Sequence, residues 1–311
     1  MGKMKFEEFT NAVVEKIREY LPESFANANV ELQTVMKNND LKLTGLLIRN
    51  ADSNISPTIY LEQFFERYQA GEDITAVLEN IADVRIRNEV KEVFDVGQIS
   101  DFERVREKIV PRLVGREWNK ALLEQRPHKI IADLAVTYHI LLGHDQSGAA
   151  SVPITNNLME AWQVDVDVLD ALATANMPKL LPSTFQSMSE VLGNMLGGEL
   201  PWETEEEKQI KEALKPQDEA MFVLSNSQKM YGAAAVLDKD IMKRIVERFD
   251  KFFIIPSSVH EVLIVPATAD MDTETLDNMV KEVNQGQVSP EERLSDHVYT
   301  YSLKDGLQSA C

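Results

Sequence analysis

Cysteine is nearly absent from this chain. Cys311, the last residue, is the only one, which excludes an internal disulfide framework and a thiolate zinc cage. Glycine is scarce as well, at 13 in 311 residues, and neither GxxxxGKS/T nor GxGxxG occurs, so nucleotide binding through those phosphate-cradling loops is excluded. HExxH and GxSxG are missing, which removes the common zinc-protease and hydrolase signatures. The longest apolar runs, Phe252 to Pro256 and Val262 to Ala267, fall far short of the ~20 residues that cross a bilayer. The opening Met1 to Glu8 has no signal-peptide core, and Phe6 breaks the myristoylation pattern. A cytoplasmic protein is expected, with no membrane partner. Cations are the minority, 32 Lys and Arg against 51 Asp and Glu, so a surface that clamps nucleic-acid phosphates is not expected.

What is present suffices for one large domain or two ordinary ones, since 44% of the residues are hydrophobic. The acidity is uneven. Residues 1–129 are near balance, with 19 basic against 22 acidic, whereas residues 130–311 hold 13 against 29. Within the first part, Arg104, Arg106, Lys108, Arg112, Arg116 and Lys120 form a local basic stretch. Within the second, Glu199 to Glu219 carries eight acids around Pro201 and Pro216, and reads as a solvated linker.

Apolar spacings of three and four predict a helix from Phe6 to Leu21 and another through Ile74, Val77, Leu78 and Ile81. Alternation in 30–36 and 41–48 around Lys37-Asn38-Asn39-Asp40 predicts a hairpin, because Asn and Asp tolerate left-handed turn positions. Strands are expected at 57–61, 109–114, 131–142 and 151–155, with a buried helix an equal reading of 131–142. Helices are expected at 118–123, 156–162 and 165–175, with Pro178 and Pro182 ending the last. Ser183 or Thr184 is read as the cap of a helix to Leu196. Beyond the linker the expected order is strand 221–224, strand 230–237, helix 240–249, strands 252–256 and 261–266, helix 272–284 and strand 297–302. The fold class predicted is α+β, mixed helices and antiparallel sheets. An N-terminal α+β domain (1–196), an acidic linker (197–219) and a smaller C-terminal α+β module (220–311) make up the division. Stretches 57–82 and 153–175 suggest a duplicated strand-helix-helix unit.

The chemistry-bearing residues are few. The five histidines are not spaced as metal ligands, and the pairs Asp165/Asp167 and Asp270/Asp272 read as helix caps, so no cofactor and no metal are predicted. The one polar constellation is Ser257, Ser258, His260 and Glu261 at the tip of the 252–266 hairpin, with Asp296 and His297 ahead of the last strand. A nucleophile, base and orienter could be assembled there. Turn chemistry accounts for the serines equally well, so these six residues are read as a binding edge and no catalytic residue is assigned.

Several strings carry a resemblance: Pro57-Thr58-Ile59-Tyr60-Leu61, Asp133-Leu134-Ala135-Val136, Ile154-Thr155-Asn156-Asn157-Leu158-Met159 with Trp162, Phe253 to Val262, and Ser295-Asp296-His297-Val298-Tyr299. Together they make the chain similar to an uncharacterised family, a domain of unknown function found in anaerobic gut Gram-positive bacteria. The resemblance runs over nearly the whole chain. It implies a bacterial, intracellular protein and supplies no activity, cofactor or site residue. The functional expectation is a non-enzymatic binding or regulatory protein whose acidic second half meets a basic protein partner. The alternative is an enzyme or small-ligand binder working from the 256–261 hairpin tip.

Overall fold

A computed structural model describes residues 3–50, 56–89, 97–145, 148–196, 220–268 and 271–310. Among the described residues the architecture is α+β with three antiparallel sheets. Among the described residues, no helix is long and apolar enough to cross a membrane. The chain divides into two compact units, Met1–Lys37 with Leu41–Gly97, and Asn38–Asp40 with Gln98–Cys311.

In the first unit, α1 (Phe6–Lys16) lays Phe9 and Val13 into a core that includes Leu46 and Ile48. The predicted hairpin forms from β1 (Asn29–Met36) and β2 (Lys42–Arg49), and the turn residues Asn39 and Asp40 take φ of 62° and 50°. Strand β3 (Thr58–Tyr60) adds to β2, followed by α2 (Glu62–Ala70) and α3 (Ile74–Arg87). Gly71 ends α2 at φ 114°, and Asp73 caps α3 by accepting the Thr75 N–H. Arg85 is buried, donates from Nε to Ile48 O at 2.8 Å, and lies over the Phe25 ring.

The second unit opens with the single turns α4 (Gly97–Ser100) and α5 (Phe102–Val105). Its first sheet centres on the long β6 (Leu134–Asp145). Strand β4 (Ile109–Gly115) pairs with one edge, while β5 (His128–Ile131) and β7 (Gly148–Pro153) pair with successive stretches of the other. The short α6 (Lys120–Glu124) precedes β5; α7 (Asn156–Trp162) and α8 (Val166–Leu180) follow β7. The second sheet has the order β13-β12-β10-β11-β9-β8, built from β8 (Ser183–Ser187), β9 (Phe222–Asn226), β10 (Phe252–Pro256), β11 (Val262–Pro266), β12 (Tyr299–Ser302) and β13 (Gly306–Ser309). Helices α9 (Met188–Leu196), α10 (Lys239–Arg248) and α11 (Thr273–Gly286) also belong to this unit. The stretches read as a duplication share the order strand, short helix, longer helix (β3-α2-α3 and β7-α7-α8).

Several local expectations are overturned. Ser183 and Thr184 do not cap a helix: they open β8, which pairs from Ser183↔Asn226 to Ser187↔Phe222, with Phe185 stacked on Phe222. One sheet therefore contains residues from both sides of 197–219. The linker itself lies outside the described residues, as do Cys311 and Asp270. Residues 230–237 form no strand but a 3-10 helix, Gly232–Leu237, because positive φ at Lys229 and Tyr231 breaks the extended run and the small Ala233, Ala234 and Ala235 fit a buried turn. Pro178 lies inside α8, so only the Thr174 carbonyl loses its helical N–H there, and Leu181 N still reaches Met177 O.

His139, in the middle of β6, is buried. Burial, then the charges of Arg112 and Arg126, hold its imidazole well below the ordinary range. The folded protein keeps it neutral, whereas the unfolded chain protonates it near pH ~6.5. Its contribution to stability is thus full above that value and is lost as pH falls towards the depressed folded value. As pH falls from about 7 towards about 5, wild type should lose more stability than His139→Gln. Denaturant unfolding at the two pH values measures this, and equal losses would refute it.

Candidate functional site

The expected hairpin tip forms, with Pro256 opposite Val262 and five residues between them. Its polar groups mostly satisfy one another. Ser258 N donates to Glu261 O at 3.1 Å, Ser258 Oγ accepts from His260 N at 3.0 Å, and Ser257 Oγ lies 3.5 Å from Glu261 Oε1. His260 turns away from both hydroxyls. Its Nδ1 accepts the Tyr231 N–H at 3.1 Å, which places the proton of the neutral ring on Nε2, 3.7 Å from Glu292 Oε1. Among the described residues no hydrogen bond joins the His260 ring to either serine, to Asp296 or to His297. The six predicted residues therefore fall into two groups, four at the tip and two elsewhere.

The second group lies in a cleft. Two adjoining hollows of about 530 and 360 Å³ share Trp118 and Asp296, and His297 lines the smaller. Chain geometry explains the placement. Helix α11 buries Leu276 and Val280, but Asp277 and Asn284 sit on the same buried stripe, at positions an amphipathic helix normally reserves for apolar groups. Asp277 accepts the Val298 N–H at 2.7 Å and meets His297 Nδ1 at 3.2 Å. A carboxylate only accepts, so Nδ1 carries the proton and Nε2 of the neutral ring keeps its lone pair. Asn284 Nδ2 donates to Ser295 O at 2.9 Å and to Asp296 Oδ1 at 2.8 Å, fixing the Asp296 carboxylate.

Beneath them, Asp133 accepts from Tyr299 Oη at 2.6 Å and from Ser295 Oγ at 3.1 Å. Burial, then Asp133, push the Tyr299 phenol far above its ordinary range, so it remains a donor. The other wall is held from α6. Asn119 Nδ2 bonds Gly115 O and Asn39 Oδ1, Asn39 Nδ2 bonds Pro290 O and Arg293 O, and Asp40 caps α6 through Ala121 N and Leu122 N. Lys281 and Arg116 bring cationic side chains to the smaller hollow, and Trp118 is the aromatic residue common to both.

The arrangement combines an oriented imidazole, a fixed carboxylate, two cations and an aromatic wall. It can bind a small polar molecule and exchange a proton with it. Sequence reasoning found Asp296 and His297 but missed Asp277, Asn284, Asp133 and Trp118. The available signal was the polar pair Asp277 and Asn284, seven apart and flanking Val280 on the apolar stripe of α11. Among the described residues, no group of three His, Cys, Asp or Glu could hold a metal ion.

No curated protein and no solved structure matches the chain. A family model does match residues 6–303, almost the entire length. The chain belongs to the family of unknown function DUF5688.

Proposed function

We propose that the protein binds a small polar ligand in the Asp296–His297 cleft, with the Asp277–His297 pair as its acid–base element. The observation that carries this reading is the buried Asp277 carboxylate aligning His297 Nδ1 while the ring lines a hollow of about 360 Å³. An orienting carboxylate behind an imidazole costs burial of a charge, and a surface histidine with no ligand to meet gains little from it. This favours the small-ligand alternative over an acidic surface for a basic protein partner. That first expectation rests on the acidity of the second half, and five of the 29 acids there have structural work: Asp165, Asp238 and Asp272 cap helices, and Asp133 and Asp277 accept internal bonds. The ligand class is set by the lining: hydroxyl or amine donors for Asp296, an anionic or carbonyl group for Lys281 and Arg116, and a flat or apolar face for Trp118.

Thermal unfolding with a panel of sugars, amino acids and nucleosides tests the reading. At least one compound should raise the melting temperature of wild type, with the rise lost in His297→Gln and in Lys281→Gln. A panel that leaves wild type unmoved, or a rise unaffected by either substitution, would count against it.

A further inference from the structure

A second site lies on the face of β4, β6 and β5 that carries Arg112. Cross-strand partners share a face, so the register Arg112↔Thr137↔His128 puts these three side chains in one row, with His139 two residues along β6. Arg126 lies just ahead of β5. The Arg112 guanidinium stacks 3.3 Å above the Tyr231 ring and donates from Nη2 to Ser151 Oγ at 2.5 Å. His260 supports that ring from the hairpin tip, with ring centroids 5.2 Å apart and its Nδ1 holding Tyr231 N. Tyr231 itself is held at φ 53°, a left-handed conformation unfavourable for a residue with a Cβ.

Among the described residues the charges on this face are all of one sign. Arg112 is largely buried, and its guanidinium is lowered to about 10, first by burial and further by Arg126. Arg126 is lowered by burial as well, and among the described residues no carboxylate contributes to the shift of Arg112, Arg126 or His139. Among the described residues the Arg126 guanidinium makes no hydrogen bond or ion pair. The buried His139 Nδ1 likewise has no partner. Buried guanidinium groups normally face a carboxylate or a phosphate, since desolvating an unpaired charge is expensive.

We propose that Arg112 and Arg126, with Tyr231 and His139, form a site for a small dianionic oxyanion, the phosphate group of a phosphorylated small molecule. Two guanidinium forks match the charge and the planar donor pattern that a phosphate takes. The strand-borne, backbone-fixed setting suits a single small group. Tyr231 serves as the platform that holds the Arg112 fork flat, and His260 serves the platform. This assigns His260 a positioning role for Arg112, separate from the Asp296–His297 cleft.

Titration calorimetry of the intact protein with inorganic phosphate, at fixed ionic strength, is the test. Wild type should bind phosphate, with succinate and chloride binding at least about tenfold more weakly. Arg126→Gln should weaken phosphate about tenfold or more, and Arg126→Lys, which keeps the charge without the fork, should fall between them. In the phosphate-free protein, relief of an unpaired charge in Arg126→Gln should raise the melting temperature by roughly 2 °C, whereas a purely structural role for Arg126 predicts a fall. Lys243→Gln, at an exposed lysine of α10, should match wild type throughout. Absence of phosphate binding by wild type overturns the proposal whatever the variants do. So do succinate or chloride binding as tightly as phosphate, and phosphate affinity unchanged in Arg126→Gln.

Discussion

Gly232→Ala should destabilise the protein by about 3 kcal/mol, because the added methyl has nowhere to go. It would lie 2.6 Å from His260 O and 2.7 Å from Asn226 N, and closer still to Ser225 Oγ. Two of these three are backbone groups of β9 and the hairpin tip, which cannot rotate aside. Ser225 Oγ is moreover committed to His260 O at 2.8 Å, so moving it leaves a buried hydroxyl without its acceptor. Denaturant unfolding measures the loss. Gly143→Ala, where nothing lies within 4 Å of the new methyl, provides the comparison and should change stability by no more than about 0.5 kcal/mol. Equal effects at the two glycines would mean that the contact between the 3-10 turn and the hairpin tip is loose.

Asp277→Ala should cost about 2–4 kcal/mol. Val298 is completely buried, and its N–H would lose the acceptor now 2.7 Å away. His297 would lose its orienting partner in the same step. Asp277→Asn separates these two consequences. Its side-chain oxygen can still accept from Val298 N, so stability should fall by no more than about 1 kcal/mol. The amide nitrogen facing His297 Nδ1 donates, however, and this reverses the tautomer of the imidazole. Ligand stabilisation should therefore vanish in Asp277→Asn while the fold survives. Retained ligand stabilisation there would remove the pair from the binding site.

Much of the fold is legible in local pattern. The hairpin of 29–49, the strand-helix-helix order of 57–87 and the pair 252–266 all follow from spacing and turn chemistry within a few residues. What is not legible depends on partners distant in sequence. Ser183–Ser187 reads as a helix start because Ser, Thr and a following apolar run mimic a cap, and only β9, some forty residues on, makes it a strand. Residues 230–237 read as a strand by hydrophobicity alone, whereas left-handed backbone at Lys229 and Tyr231 bends them into a tight turn. The same limit governs the sites. Asp296 and His297 are visible as a polar pair before a strand, whereas Asp277 and Asn284 gain their roles only when α11 packs against residues 295–298. Arg112 stood in a local run of basic residues, and nothing in that run distinguished it from Arg104 or Arg106, whose partners are the surface acids Asp101 and Glu103. Its burial, without an acid partner among the described residues, arises only when β4, β6 and Tyr231 come together.

The most direct measurement is a long-range nitrogen NMR correlation of the His297 imidazole in the intact protein, with and without the compound that raises its melting temperature. The account predicts a neutral ring protonated at Nδ1 with bare Nε2 in wild type, the reverse tautomer in Asp277→Asn, and an Nε2 resonance that moves when the compound is added to wild type. A wild-type ring protonated at Nε2, or an Nε2 resonance that stays fixed while the protein is stabilised, would contradict it.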